Sequence, residues 1–274
     1  MTVTQSIILG IIQGITEFIP ISSSGHLVIL PYLLGWDIPK YDAFIFDVLV
    51  QVATLAAVLI YFWSDLVDIV KGFIHGLLHR SPFENSNARL GWYLIVATIP
   101  AGIIGLGLKD IVARAFASPL VTAGFLFLTA ILLVLAEKVG RREKLLEELN
   151  WKDALWIGLS QVIAIFPGVS RSGATIFGGM TRDLKRPDAA RFSFLMSIPI
   201  MLAAGLSAVI DLTKIPHLDT LLPTFIPGFL AAAIVGYLVI RWLISYLTHH
   251  PLYIFAVYCA GLGSMVLIWS FFML

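Results

Sequence analysis

QGITEFIPISSSG, residues 13–25, lies inside an apolar run yet carries a carboxylate, a proline and three consecutive serines, with His26 directly behind. QVIAIFPGVSRSG, residues 161–173, interrupts a second apolar run with Pro167, two serines and Arg171. Aligned, the two stretches pair Gln13 with Gln161, Phe18 with Phe166, Ser22 with Ser170, Ser24 with Ser172 and Gly25 with Gly173. The same offset pairs Phe44 with Phe192 and Phe46 with Phe194. Membrane residues match by chance in places, but an offset carried into the next apolar run argues for two repeats. They cover about 1–137 and 150–274 of one integral membrane domain, residues 1–274.

Composition sets the class. Of 274 residues, 59% are hydrophobic and 13% charged, against about 25% charged in a soluble domain. The expectation is an all-α polytopic membrane protein whose partner is the bilayer. A net charge of +1 with no basic tail gives no footprint for nucleic acid, which is not expected as a partner. Cys259 is the only cysteine, so an intrachain disulfide is excluded and packing is its expected role. The N-terminus lacks the positive start of a signal peptide, so residue 1 onward reads as mature sequence.

Runs long enough to cross a bilayer lie near 42–63, 90–108, 119–136, 187–209, 225–246 and 252–273. The two interrupted regions, roughly 3–35 and 154–182, divide into halves of about 11–17 residues. Such halves reach roughly 16–25 Å, short of the ~30 Å core. Each region therefore reads as a re-entrant helix pair, with two ordinary kinked helices as the alternative. Six full spans and two re-entrant pairs meeting near the midplane result. Three spans separate the pairs, which inverts the second repeat relative to the first.

Charge orients this arrangement. Of the eighteen Lys and Arg, Lys40, Lys109, Arg114 and Lys214 fall on one side and Arg171 inside the membrane. The remaining thirteen fall on the other side, which the positive-inside rule makes cytoplasmic. Loops 64–89, 138–153 and 245–251 are then cytoplasmic and both termini external.

Broken helices of inverted repeats build a polar site where the breaks meet. Ser22 and Ser170 can each N-cap the half-helix that follows, aiming free N–H groups and a positive dipole end at the centre. Ser24, Gly25, Ser172 and Gly173 let backbone and hydroxyls approach phosphate oxygens, and Arg171 adds a planar fork. Serine-rich helix starts alone are often no more than caps. An arginine at the bilayer centre costs at least ~2.5–3.5 kcal/mol, so Arg171 needs an anionic partner. Glu17 beside a phosphate would repel it unless Arg171 pairs with it or a divalent cation bridges them. Gln13, one helical turn earlier, could add its amide oxygen to a metal shell. On a helix, His26 can reach the hydroxyl of Ser22 or Ser23, an arrangement that activates a nucleophile; a hydrogen-bonded core histidine is the plainer reading. The remaining histidines, His217 among them, are expected in loops or at span ends. Asp47 and Gln51, one turn apart, read as support behind the site.

The stretches from Gln13 to His26 and from Pro167 to Thr175 closely resemble the two signature motifs of the bacterial undecaprenyl-diphosphatase family, linked to bacitracin resistance. The resemblance spans essentially the whole chain. It implies hydrolysis of undecaprenyl diphosphate to the monophosphate with Mg²⁺ or Ca²⁺, in the inner (plasma) membrane and facing outward. It implies Glu17, Ser23, His26 and Arg171 as the catalytic set, with Ser22, Ser170, Ser172 and Thr175 lining the phosphate site. The family motif opens with Glu or Gln; Gln13 here disfavours any scheme that needs two carboxylates on the metal. The substrate would be a polyprenyl diphosphate lipid, and the sequence leaves open whether the protein acts alone or as a homodimer. Elements of the phosphatidate phosphatase superfamily are incomplete, since Phe177 stands where its histidine would follow Arg171. A polyprenyl-phosphate transporter or flippase without hydrolysis is the remaining alternative, because inverted repeats with broken helices also build transporters.

Overall fold

A computed structural model describes residues 1–116, 118–212 and 218–273. Lys214 and His217 lie outside the described residues. The first half runs α1 (Val3–Phe18), α2 (Ser23–Leu33), α3 (Lys40–Tyr61), α4 (Trp63–Leu78), α5 (Ser86–Gly107), α6 (Lys109–Phe116) and α7 (Pro119–Val139). The second runs α8 (Trp151–Val162), α9 (Arg171–Met180), α10 (Arg186–Leu212), α11 (Leu218–His249) and α12 (Tyr253–Met273). Among the described residues the structure contains helices and no strands. Six helices, α3, α5, α7, α10, α11 and α12, are long and apolar enough to cross a membrane, and they fall on the six apolar runs. The chain is a multi-span α-helical membrane protein.

Both interrupted regions break where proline dictates. Ile19, before Pro20, turns extended (φ −62°, ψ 135°) and ends α1, because a residue preceding proline is pushed out of the α region. Phe166, before Pro167, does the same (φ −82°, ψ 138°) after a 3₁₀ turn over Ile163–Ile165. The chain then restarts on a serine cap. Ser22 Oγ accepts from the Gly25 N–H at 3.2 Å and Ser170 Oγ from the Gly173 N–H at 3.0 Å. The left-handed residue falls on Ser22 itself (φ 72°) in the first break and on Gly168 (φ 94°) in the second. The four half-helices have 16, 11, 12 and 10 residues. At 1.5 Å per residue none reaches the ~30 Å of a bilayer core.

The first helix of each break leans on a span from the other half. α1 packs along α11 and α8 along α5, while α3 packs against α10 and α7 against α12. Glycine permits the closest of these approaches. A Cβ on Gly10 would sit 2.2 Å from the Gly228 carbonyl oxygen, and one on Gly158 would sit 2.3 Å from that of Ala97. Gly10 and Gly158 are paired by the same offset that aligns the serine motifs. Phe46 and Phe194, also paired by it, are both fully buried. Phe44 and Phe192 part company: Phe192 is fully buried, while Phe44 is exposed on the outer face of α3.

Region 64–89, expected as a loop, is mostly α4. This helix seats Ile69, Gly72 and Gly76 inward and leaves Val70, Ile74 and Leu77 exposed. On the same side, carboxylates collect several of the expected cytoplasmic cations. Glu137 accepts from Arg142 (2.7 Å), from Arg186 (2.7 and 2.6 Å) and from the Leu252 N–H (2.9 Å). That knot ties the end of α7 to the starts of α10 and α12. Asp153 binds Lys144 and Arg182, and Asp65 binds Arg191. Part of the positive charge on this side is therefore structural.

Candidate active site

Glu17 closes α1, Ser23 opens α2 and Arg171 opens α9, so the two breaks bring all three together. Glu17 Oε1 accepts from Arg171 Nη2 at 2.8 Å, and Glu17 Oε2 accepts from Ser23 Oγ at 2.6 Å and Gln13 Nε2 at 3.0 Å. The ion pair joins residues 154 apart in sequence. It neutralises a carboxylate that sits at the negative end of its own helix, where a lone charge would be costly. Arg171 Nη1 is buried and has no partner. A guanidinium half engaged in this way keeps its second edge for an incoming anion.

A cavity of about 300 Å³ opens over this cluster. Glu17, Ser22, Ser23, Ser24, Ser170 and Arg171 supply its polar wall, and Phe116, Ile200 and Met201 part of its apolar one. The paired serines bond within each cap, Ser22 Oγ to Ser24 Oγ at 3.4 Å and Ser170 Oγ to Ser172 Oγ at 3.1 Å. Ser23 and Ser24 at the start of α2 and Arg171 at the start of α9 line the cavity, and helix dipoles favour negative charge at such ends. Gly25 and Gly173 are the residues whose N–H the caps hold, and a Cβ on either would crowd the capping serine at 3.2 and 3.0 Å.

Other expected site residues are placed differently. The ring of His26 reaches neither serine hydroxyl: Nδ1 lies 2.7 Å from the Ser22 carbonyl oxygen and Nε2 2.8 Å from the Tyr258 hydroxyl. Ser23 turns instead to Glu17. A helical residue readily returns a side-chain donor to the carbonyl four positions back, and here that outcompetes the hydroxyls. Thr175 points away from the cavity and hydrogen-bonds Ser193 of α10 at 2.6 Å. Ser172 lies behind Ser170, 3.4 Å from the Ile19 carbonyl oxygen. Gln51 lines the cavity and Asp47 does not.

Gln13 presents its amide nitrogen to Glu17, since a carboxylate accepts only, and its amide oxygen is buried without a partner. Among the described residues no group of three or more His, Cys, Asp or Glu could hold a metal ion. The donor set still fits a hard cation whose shell a substrate completes. Glu17 has lone pairs to spare, and turning over the Gln13 amide would present its unpaired oxygen alongside.

Three supporting residues escaped sequence reasoning: Tyr258, Ser193 and Thr129. Thr129, fully buried on α7, donates to the Gly168 carbonyl at 2.9 Å and accepts from the Ser170 N–H at 2.9 Å. The available signal was a hydroxyl inside an apolar run, which is common enough to carry little weight alone.

Comparison with known proteins identifies the family. A family model for bacitracin resistance protein BacA matches residues 6–265. The chain belongs to that family. Among its relatives, the undecaprenyl-diphosphatase of Chlorobium phaeovibrioides is 44% identical, covering 98% of this chain and 97% of its own. That of Myxococcus xanthus is 40% identical over 98% and 89% of the two chains, and that of Chloroherpeton thalassium 43% over 97% and 96%.

Proposed function

We propose that this protein is an undecaprenyl-diphosphate phosphatase, hydrolysing its lipid to undecaprenyl phosphate and inorganic phosphate. Such a reaction recycles the carrier for cell-wall synthesis and confers bacitracin resistance. One observation carries the reading: Ser23, Glu17 and Arg171 are bonded in series across the two breaks, with a buried guanidinium edge left unpaired. The names of the relatives support it. A carrier of prenyl phosphate needs the cation, but it has no use for a serine hydroxyl hydrogen-bonded to a carboxylate.

The diphosphate enters with its prenyl tail left in lipid. Arg171 Nη1, the Ser22, Ser24 and Ser170 hydroxyls and the N-termini of α2 and α9 receive the phosphate oxygens. A divalent cation, Mg²⁺ or Ca²⁺, would be held by Glu17 and Gln13 and would neutralise phosphate charge. Ser23 Oγ attacks the terminal phosphorus in line while its proton passes to Glu17. The bond to the bridging oxygen breaks, and prenyl monophosphate leaves with the electron pair. Water then cleaves the phosphoserine and releases inorganic phosphate. Positioning and fixed charge do most of the work, as phosphoryl transfer requires.

The charge distribution supports insertion in the inner (plasma) membrane with both termini outside and the cavity facing the exterior. The test of function is phosphate release by purified protein from polyprenyl diphosphate, with and without chelator. Release that the chelator abolishes is expected. Lipid binding without release under any divalent cation would leave the carrier.

A further inference from the structure

The His26 ring is held at both ends. A carbonyl oxygen only accepts, so the 2.7 Å contact with Ser22 requires the proton on Nδ1. In a neutral ring Nε2 is then an acceptor, and the Tyr258 hydroxyl 2.8 Å away is its donor. The two ring planes are nearly parallel, 7° apart, with centroids 5.6 Å apart, so the rings also pack against each other. Ser22, the carbonyl that His26 grips, has the only left-handed non-glycine backbone in either break, at φ 72°. Strain of that kind persists only where neighbours over-determine it. Ser23 follows directly, and its Oγ must meet Glu17 Oε2.

We propose that Tyr258 is a positioning residue for this reaction. Its hydroxyl fixes His26 as the Nδ1–H tautomer, and His26 in turn clamps the strained Ser22 cap that aims Ser23 at Glu17. The proposal rests on the phosphatase reading and adds a residue from α12 that touches neither the phosphates nor the nucleophile. Cys259, its neighbour, approaches the Pro20 carbonyl oxygen with Sγ at 3.9 Å, so α12 touches the first break at two points.

Tyr258→Phe removes the hydroxyl and leaves the packing. The expected result is a kcat lower by about fivefold to tenfold, the worth of one neutral hydrogen bond, with KM within about twofold of wild type. Purified protein labelled with ¹⁵N at histidine reports the tautomer directly, with His26→Gln identifying the signal. Wild type should show a protonated Nδ1 and a bare, hydrogen-bonded Nε2, and Tyr258→Phe should shift the Nε2 resonance. A wild-type ring protonated at Nε2 alone overturns the proposal even if the variant fails to fold. So does a folded Tyr258→Phe with wild-type kcat and unchanged nitrogen shifts. Failure of the wild type to release phosphate would remove the phosphatase reading instead, and the nitrogen spectrum would still decide the tautomer.

Discussion

Arg171 is asked to do two things with one planar group, holding Glu17 through Nη2 while Nη1 stays free. A lysine keeps the charge and loses the second edge, so it cannot serve both partners. Arg171→Lys should therefore bind lipid diphosphate measurably and turn it over about 10²–10³-fold more slowly, the usual loss for one oxyanion-type donor. A binding assay beside a phosphate-release assay separates the two effects. Transport that survives in the lysine variant while hydrolysis never occurs in wild type would favour the carrier. Ser23 and Glu17 are expected to act as a unit: Ser23→Ala and Glu17→Gln are each severe, and the double variant is little worse than either. Near-normal turnover by Ser23→Ala would make water the nucleophile and Ser23 a ligand. Trapping a phosphorylated Ser23 would establish the covalent route. At this scale the sequence was informative about residue type and poor about direction. An arginine inside the membrane demanded a carboxylate, and Glu17 was the acid in the opposing break. Which hydroxyl His26 would meet depended on the Ser22 carbonyl and on Tyr258, separated from it by 232 residues, and no local pattern encodes such a contact.

Helices of 16, 11, 12 and 10 residues cannot cross a bilayer alone, so their placement depends on what they lean against. α8 is positioned by the Gly158 approach to Ala97 on α5. Replacing Gly158 with valine would force the two backbones apart and carry α9, with Arg171, out of register. We expect Gly158→Val to accumulate poorly in membranes, and what folds to have weakened turnover; quantitative immunoblotting of the membrane fraction with normalised activity checks both. The breaks were legible because proline and a serine cap act locally, through sterics and one hydrogen bond. The spans were legible because a run of about 20 apolar residues has few other uses. α4 was not. Its apolar positions recur at helical spacing among charges, a pattern that satisfies the definition of a loop by composition and of a helix by periodicity.

Across the whole molecule, two buried acids act as rivets on the side rich in basic residues. Glu137 gathers α7, α10 and α12 with its side chain 1% exposed. Glu137→Gln leaves Arg142 and Arg186 without their counter-charge. Both arginines are part exposed, so the cost should be on the order of 2 kcal/mol, below the 3–5 kcal/mol of a fully buried pair. A lower thermal midpoint by several degrees in detergent is expected, with turnover per folded molecule retained. The topology has its own test: a reporter fused after Leu274 should read as external, and a label near Arg142 should react only from the cytoplasm. A cytoplasmic C-terminus beside a cytoplasmic Arg142 would contradict the six-span count and the inversion expected from it.

The bond between Glu17 and Arg171 also bears on how the two halves of the chain divide the work. At the aligned positions, Glu17 stands opposite Ile165 and Arg171 opposite Ser23. Two copies of the first half would confront one carboxylate with another, and two copies of the second would do the same with guanidinium groups. Neither arrangement holds a diphosphate and a nucleophile together. Each half supplies what the other lacks: the halves are not interchangeable parts but complementary ones, joined in a single polypeptide that guarantees one of each.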